Sequence, residues 1–226
     1  MPEPRRGAAL TILFSPHGTS VDNEAGRASG HADVPLSATG RRQAAELGRH
    51  YATTDVDVVS CSDLRRAHDT ALIAFRDRSL PIQADPRLRE FDYGDRTQCP
   101  RDELDLTAHV RAPFPNGESV AMAVDRVGEF LDEAASKHMG WTMVVIGHMA
   151  TRYGLEHWSS DVPLEEIVSA PLEWRQVPIW RYTLGPRTGD RTRRQARGVR
   201  PARRRRVPAA RGVRVAPGPF LDRDRL

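Results

Sequence analysis

The chain has 226 residues, enough for one substantial domain or a domain with an appendage. Its formal net charge of +4 divides unevenly: residues 186–226 hold 14 Arg and three acidic residues, a net of +11, so residues 1–185 carry −7. The basic character therefore belongs to the tail, which excludes a body built as a nucleic-acid binder, and no apolar run reaches the ~20 residues that a membrane-spanning helix needs.

Residues 9–15 are short, apolar and rich in extended formers such as Ile12 and Phe14, which predicts a buried strand. Pro16 stops it. A polar loop follows, containing His17, Gly18, Thr19, Ser20 and Asn23, and running through Gly30, His31 and Asp33 to Pro35. Ser37 is a suitable N-cap for a helix over 38–51, with Ala44, Ala45 and Leu47 as its buried stripe and with Gly40 and Gly48 weakening it. Residues 56–60 predict a second strand. Ser62 or Asp63 can cap a helix over 64–75, where Leu64, Ala67, Ala71, Leu72 and Phe75 keep helical spacing. A minor strand is expected near Ile82. Residues 85–113 are irregular, with room for a short helix near 102–109.

Residues 113–117 form a turn cluster, after which Glu118 or Ser119 opens a helix to about His138. Residues 141–146 give the strongest strand signal in the chain, ending at Gly147 and His148, and a helix follows over 149–158. Residues 176–184 predict a last strand, at a sheet edge because of Pro178. Alternating strands and helices define an α/β fold: three layers, with a mostly parallel central sheet and helices on both faces. Ligands of such sheets collect beyond the carboxyl ends of the strands. His17, Arg65 and Arg66, and His148 each follow a predicted strand. A site of His, His and Arg suits an anion, with phosphate the commonest candidate.

The order of these blocks resembles the histidine phosphatase superfamily, also called phosphoglycerate mutase-like. The resemblance rests on five blocks over about residues 10–157. The first is His17-Gly18-Thr19-Ser20 with Asn23, followed by Gly30 to Gly40 and Gln43-Ala44. The second is Ser62-Asp63-Leu64-Arg65-Arg66-Ala67 with Thr70-Ala71. Leu88-Arg89-Glu90 with Tyr93-Gly94 is the third, Gly117-Glu118-Ser119 the fourth, and the strand into Gly147-His148 the last.

The resemblance implies a phosphomonoester hydrolase acting through a phosphohistidine. His17 would be the nucleophile, Glu90 the proton donor and later base (with Asp92 its competitor), and His148 a donor to the transferring oxygens. Arg66 would grip those oxygens, Arg65 being the solvated neighbour. Ser20, Asn23 and Arg27 would bind phosphate, although loop capping equally explains Ser20 and Asn23. No metal or other cofactor is implied, since Arg and His supply the positive charge. The substrate would be a small phosphorylated metabolite.

Mutases of the family carry a longer insertion before the second His. The 58 positions between Glu90 and His148 favour hydrolase over isomerase. Two residues depart from the pattern. Pro16 stands where the family has a phosphate-binding Arg, which leaves a catalytically weakened phosphate-binding relative as a further alternative unless Arg27 or Arg152 restores the charge. Cys99 stands where glycine is usual.

Cys61 and Cys99 have no metal-type spacing and are expected as free thiols. With no signal-like start, the expectation is a soluble cytoplasmic protein, free of membrane contact, for which a homodimer is admissible. The expected organisation is a phosphatase-like domain over residues 1–185 and an Arg/Pro/Gly-rich disordered tail over 186–226. That tail is the chain's sole, and weak, case for nucleic acid.

Overall fold

The computed structural model describes residues 9–170 and 179–185. The tail, and the first part of the strand expected over 176–184, lie outside the described residues. A five-stranded sheet forms the centre, in the order β3-β2-β4-β1-β5. Its strands are β1 (Leu10–Pro16), β2 (Val58–Cys61), β3 (Ile82–Ala84), β4 (Thr142–Gly147) and β5 (Trp180–Leu184). Pairings β1/β4, β4/β2 and β2/β3 are parallel; β5 runs antiparallel along β1.

Side-chain alternation along the strands separates two apolar layers. Leu10, Ile12 and Phe14 of β1, with Met143 and Val145 of β4, face one core, shared with helices α4 (Val120–Lys137), α5 (Met149–Ser160) and α6 (Leu164–Ser169). Leu13, Val144 and Ile146 face the other, covered by α2 (Ala38–Tyr51) and α3 (Arg65–Ala74). This is the three-layer α/β fold that the sequence predicts. Among the described residues, no helix is long and apolar enough to cross a membrane.

The bounds of α2 match the expected helix, and Ser37 caps it through Gly40 N–H at 3.1 Å. Ser119 caps α4 by accepting from Met122 N–H. Three expectations are corrected. Asp63 does not cap α3: it is bound by Arg89 in a two-pronged pair at 2.6 and 2.7 Å, and Asp33 reaches across from the preceding loop to accept from Arg65 N–H at 2.8 Å. A bidentate guanidinium is the stronger partner for Asp63, and it also tethers the strand-free segment that carries Glu90. The short helix expected near 102–109 is only a 3₁₀ turn at Arg101–Glu103, because Asp105 accepts from Thr107 and Ala108 N–H and diverts the chain. Finally, a four-residue helix, α1 (Val21–Glu24), occupies the loop after His17. It is too short to show apolar periodicity.

Candidate active site

Adjacent parallel strands bring the two histidines together. β1 and β4 run in register up to Pro16 against Gly147, so the next residue of each strand is a histidine. His17 N–H donates to the Gly147 carbonyl at 3.0 Å, and the two imidazole rings stand 4.9 Å apart, close to the spacing of neighbouring strands. β2 lies on the far side of β4, and the first turn of α3 delivers Arg66 from there.

The tautomer of His17 follows from its neighbours. Nδ1 lies 2.6 Å from the Gly18 carbonyl oxygen, which can only accept, so Nδ1 carries the proton. Nε2 is left with its lone pair toward the site, where Arg66 Nε–H donates to it at 3.3 Å. Burial and then the charge of Arg66 push the His17 pKa down to about 3, the Gly18 bond opposing them and the charge of Arg101 adding the least of the four effects. The imidazole is therefore neutral across the neutral range. Burial likewise holds His148 well below the usual histidine range, with Arg66 next in effect.

Arg66 is 1% exposed, whereas Arg65 faces solvent beside Asp69. Nη1 and Nη2 of Arg66 donate to the carbonyls of Ala32 and Gly30 at 2.9 and 2.8 Å, fixing the plane of the guanidinium. His148 is also 1% exposed, and neither of its ring nitrogens has a hydrogen-bond partner. A buried imidazole left unpaired normally costs stability.

Glu90 reaches the first turn of α5. Its carboxylate accepts from Phe91, Met149 and Ala150 N–H at 3.0–3.3 Å, which seats it at the start of α5, directly after His148. Asp92 is employed differently: it accepts from Gly94 N–H and lies 3.8 Å from His31.

Ser20 and Asn23 form a reciprocal cap at the start of α1. Ser20 Oγ accepts from Asn23 N–H at 3.1 Å, and Asn23 Oδ1 accepts from Ser20 N–H at 3.0 Å. Arg27 is exposed, on a segment bridged to Pro100. Arg152 does not supply the charge missing at Pro16. It donates to Glu156 at 2.7 Å and lies over the Trp180 ring.

Several supports were not singled out from sequence. Gly18 and Gly40 meet backbone to backbone, so a Cβ on either would strike the other segment. Thr70 Oγ1 accepts from Gly18 N–H at 3.0 Å and donates to the Arg66 carbonyl, coupling the His17 loop to α3. Arg126 pairs with Glu118 and donates to the carbonyls of Arg87, Arg89 and Glu90, holding the segment behind the Glu90 carboxylate. A partner 36 to 39 positions away leaves no spacing signal. Among the described residues, no three His, Cys, Asp or Glu side chains converge as a metal ion requires.

The sequence profile of the histidine phosphatase superfamily (branch 1) matches residues 12–188. The chain belongs to that superfamily, and it is a phosphatase. It is similar to phosphoserine phosphatase 1 of Hydrogenobacter thermophilus, with 32% identity over 149 residues, covering 62% of this chain and 71% of the relative. An uncharacterized phosphatase, PhoE, of Bacillus subtilis is 31% identical over 139 residues, or 62% and 72% of the two chains. Among solved structures, Bacillus stearothermophilus YhfR superposes with a TM-score of 0.66 at 30% identity, over 72% of this chain and 86% of that one.

Proposed function

We propose that this phosphatase works through His17 as its nucleophile, on small phosphomonoesters. The observation that carries the proposal is the neutral imidazole of His17, whose Nε2 lone pair accepts a long 3.3 Å bond from Arg66 Nε–H beside the unpartnered ring of His148. Nε2 attacks phosphorus and forms a P–N bond while the P–O ester bond breaks. Glu90, in its protonated form, gives that proton to the departing oxygen and is left as the carboxylate that the three N–H groups hold. Water then attacks the phosphohistidine, Glu90 takes the water's proton, and inorganic phosphate leaves with His17 neutral again.

Arg66 by its charge, and His148 by an N–H bond, stabilise the equatorial oxygens, on which charge concentrates in a loose transition state. Ser20 and Asn23 fix the loop after His17 by their mutual cap and would bind phosphate from there, and exposed Arg27 would bring positive charge to the rim. Small phosphomonoesters suit a site whose recognised parts all lie at the phosphoryl end.

The test is a panel of phosphate monoesters assayed with the full chain and with His17→Ala. Release of phosphate by the wild type and its loss in the variant is the expected result. Equal turnover by both would refute the assignment of His17.

A further inference from the structure

We propose that Arg101 provides the second cation of the phosphoryl site, binding an oxygen of the substrate phosphate that Arg66 leaves unserved; this rests on the phosphatase reading above. A phosphomonoester dianion brings two negative charges. With both histidines neutral, the buried part of the site offers one full positive charge, on Arg66. Three of the five N–H groups of Arg66 are already committed, to His17, Ala32 and Gly30. Pro16 contributes no donor and no charge. A second cation at the mouth would balance the dianion.

The fold holds Arg101 where it can act. Residues 98–101 lie along the loop that follows the nucleophile. Gln98 N–H donates to Ala28 O at 2.7 Å, Ala28 N–H to Cys99 O at 3.0 Å and Arg101 N–H to Gly26 O at 2.9 Å, with Arg27 bridged to Pro100. Gln98 takes a left-handed conformation (φ 63°), and its side-chain amide donates to the buried Asp22 at 3.0 Å, which locks the bend. The backbone of this segment is thus fixed against residues 26–28 by three hydrogen bonds, while the guanidinium of Arg101 makes no hydrogen bond or ion pair within the described residues.

Electrostatics agree with that placement. After Arg66, Arg101 is the cation whose charge depresses the basicity of His17, and it also acts on the buried Tyr93 hydroxyl. Of the other nearby cations, Arg96 is paired with Glu103, Arg89 with Asp63 and Arg152 with Glu156, while Arg27 is exposed on the loop paired with this segment. A cation near the nucleophile with no anion of its own is free for the substrate's.

Competitive inhibition by inorganic phosphate, measured on the full chain against a chromogenic aryl phosphate, tests this with Arg101→Gln, Arg101→Glu and the distant control Arg76→Gln. Expected is an inhibition constant raised at least tenfold in Arg101→Gln and further in Arg101→Glu, kcat/KM falling in parallel, and Arg76→Gln behaving as wild type. Thermal unfolding of the Arg101 variants should match wild type, since the side chain holds nothing in the fold. Inhibition constants within twofold of wild type in both Arg101 variants would overturn the inference while leaving the phosphatase reading intact. A wild type that neither hydrolyses the ester nor binds phosphate would sink both.

Discussion

Replacing His17 with Asn should remove a measurable part of the protein's acid sensitivity. In the folded chain the His17 pKa lies near 3, against an ordinary value of 6.5. Between those values the unfolded chain binds a proton that the folded chain refuses, so stability falls as the pH drops through that window and is fully retained above 6.5. Between pH 7 and pH 5 the unfolded state gains about 1.4 pH units' worth of proton binding at this one site, and at 1.36 kcal/mol per unit that is about 2 kcal/mol of lost stability. Asn keeps a polar group that can donate to Gly18 O but does not titrate. Urea unfolding of both proteins at the two pH values should therefore show a pH-dependent loss smaller by about 2 kcal/mol in His17→Asn. An identical loss in the two proteins would mean that His17 is not held neutral by the fold. The case for a ready lone pair on Nε2 would then fail.

Other consequences are as specific. Glu90→Gln should lower kcat on alkyl phosphates by about 10²–10⁴-fold, the usual weight of a proton-transfer group, and much less on a nitrophenyl ester, whose leaving oxygen needs no proton. A loss equal on both ester types would take the proton-donor role away from Glu90. Gly18→Ala drives a methyl into the Gly40 backbone and should cost about 1–3 kcal/mol of stability by denaturant titration, together with most of the activity. Arg126→Met leaves Glu118 without its cation and frees three backbone carbonyls, so a stability loss of about 3 kcal/mol is expected, with kcat falling because the Glu90 segment loosens.

What the sequence discloses here tracks the range over which each interaction acts. β1, α2, α4 and α5 are regular amphipathic or apolar runs, and their composition placed them to within a few residues. His17 and His148 stand at strand ends, and the topology of a parallel sheet is enough to predict that such residues converge. Arg66 was separable from Arg65 only through the family motif; periodicity on a ten-residue helix does not choose between neighbours. Nor could local pattern assign the α3 cap to Asp33, 32 positions upstream, or the support of Glu90 to Arg126, 36 positions downstream. The segment 96–103 looked unpatterned because backbone bonds to residues 26–28 hold it, rather than any periodicity of its own. Ser20 and Asn23 carry two readings in the sequence, and the structure shows one of them: their side chains cap each other's backbone at the start of α1.

The covalent intermediate is the most direct test of the central claim. The full chain should be mixed with a phosphomonoester, quenched in denaturant at alkaline pH, where phosphohistidine survives, and its peptides mapped by mass spectrometry. A phosphoryl group on His17, formed within one turnover and absent from His17→Asn, is the predicted result. Phosphate release with no phosphoryl on His17 at any time, or with the group on another residue, would contradict it.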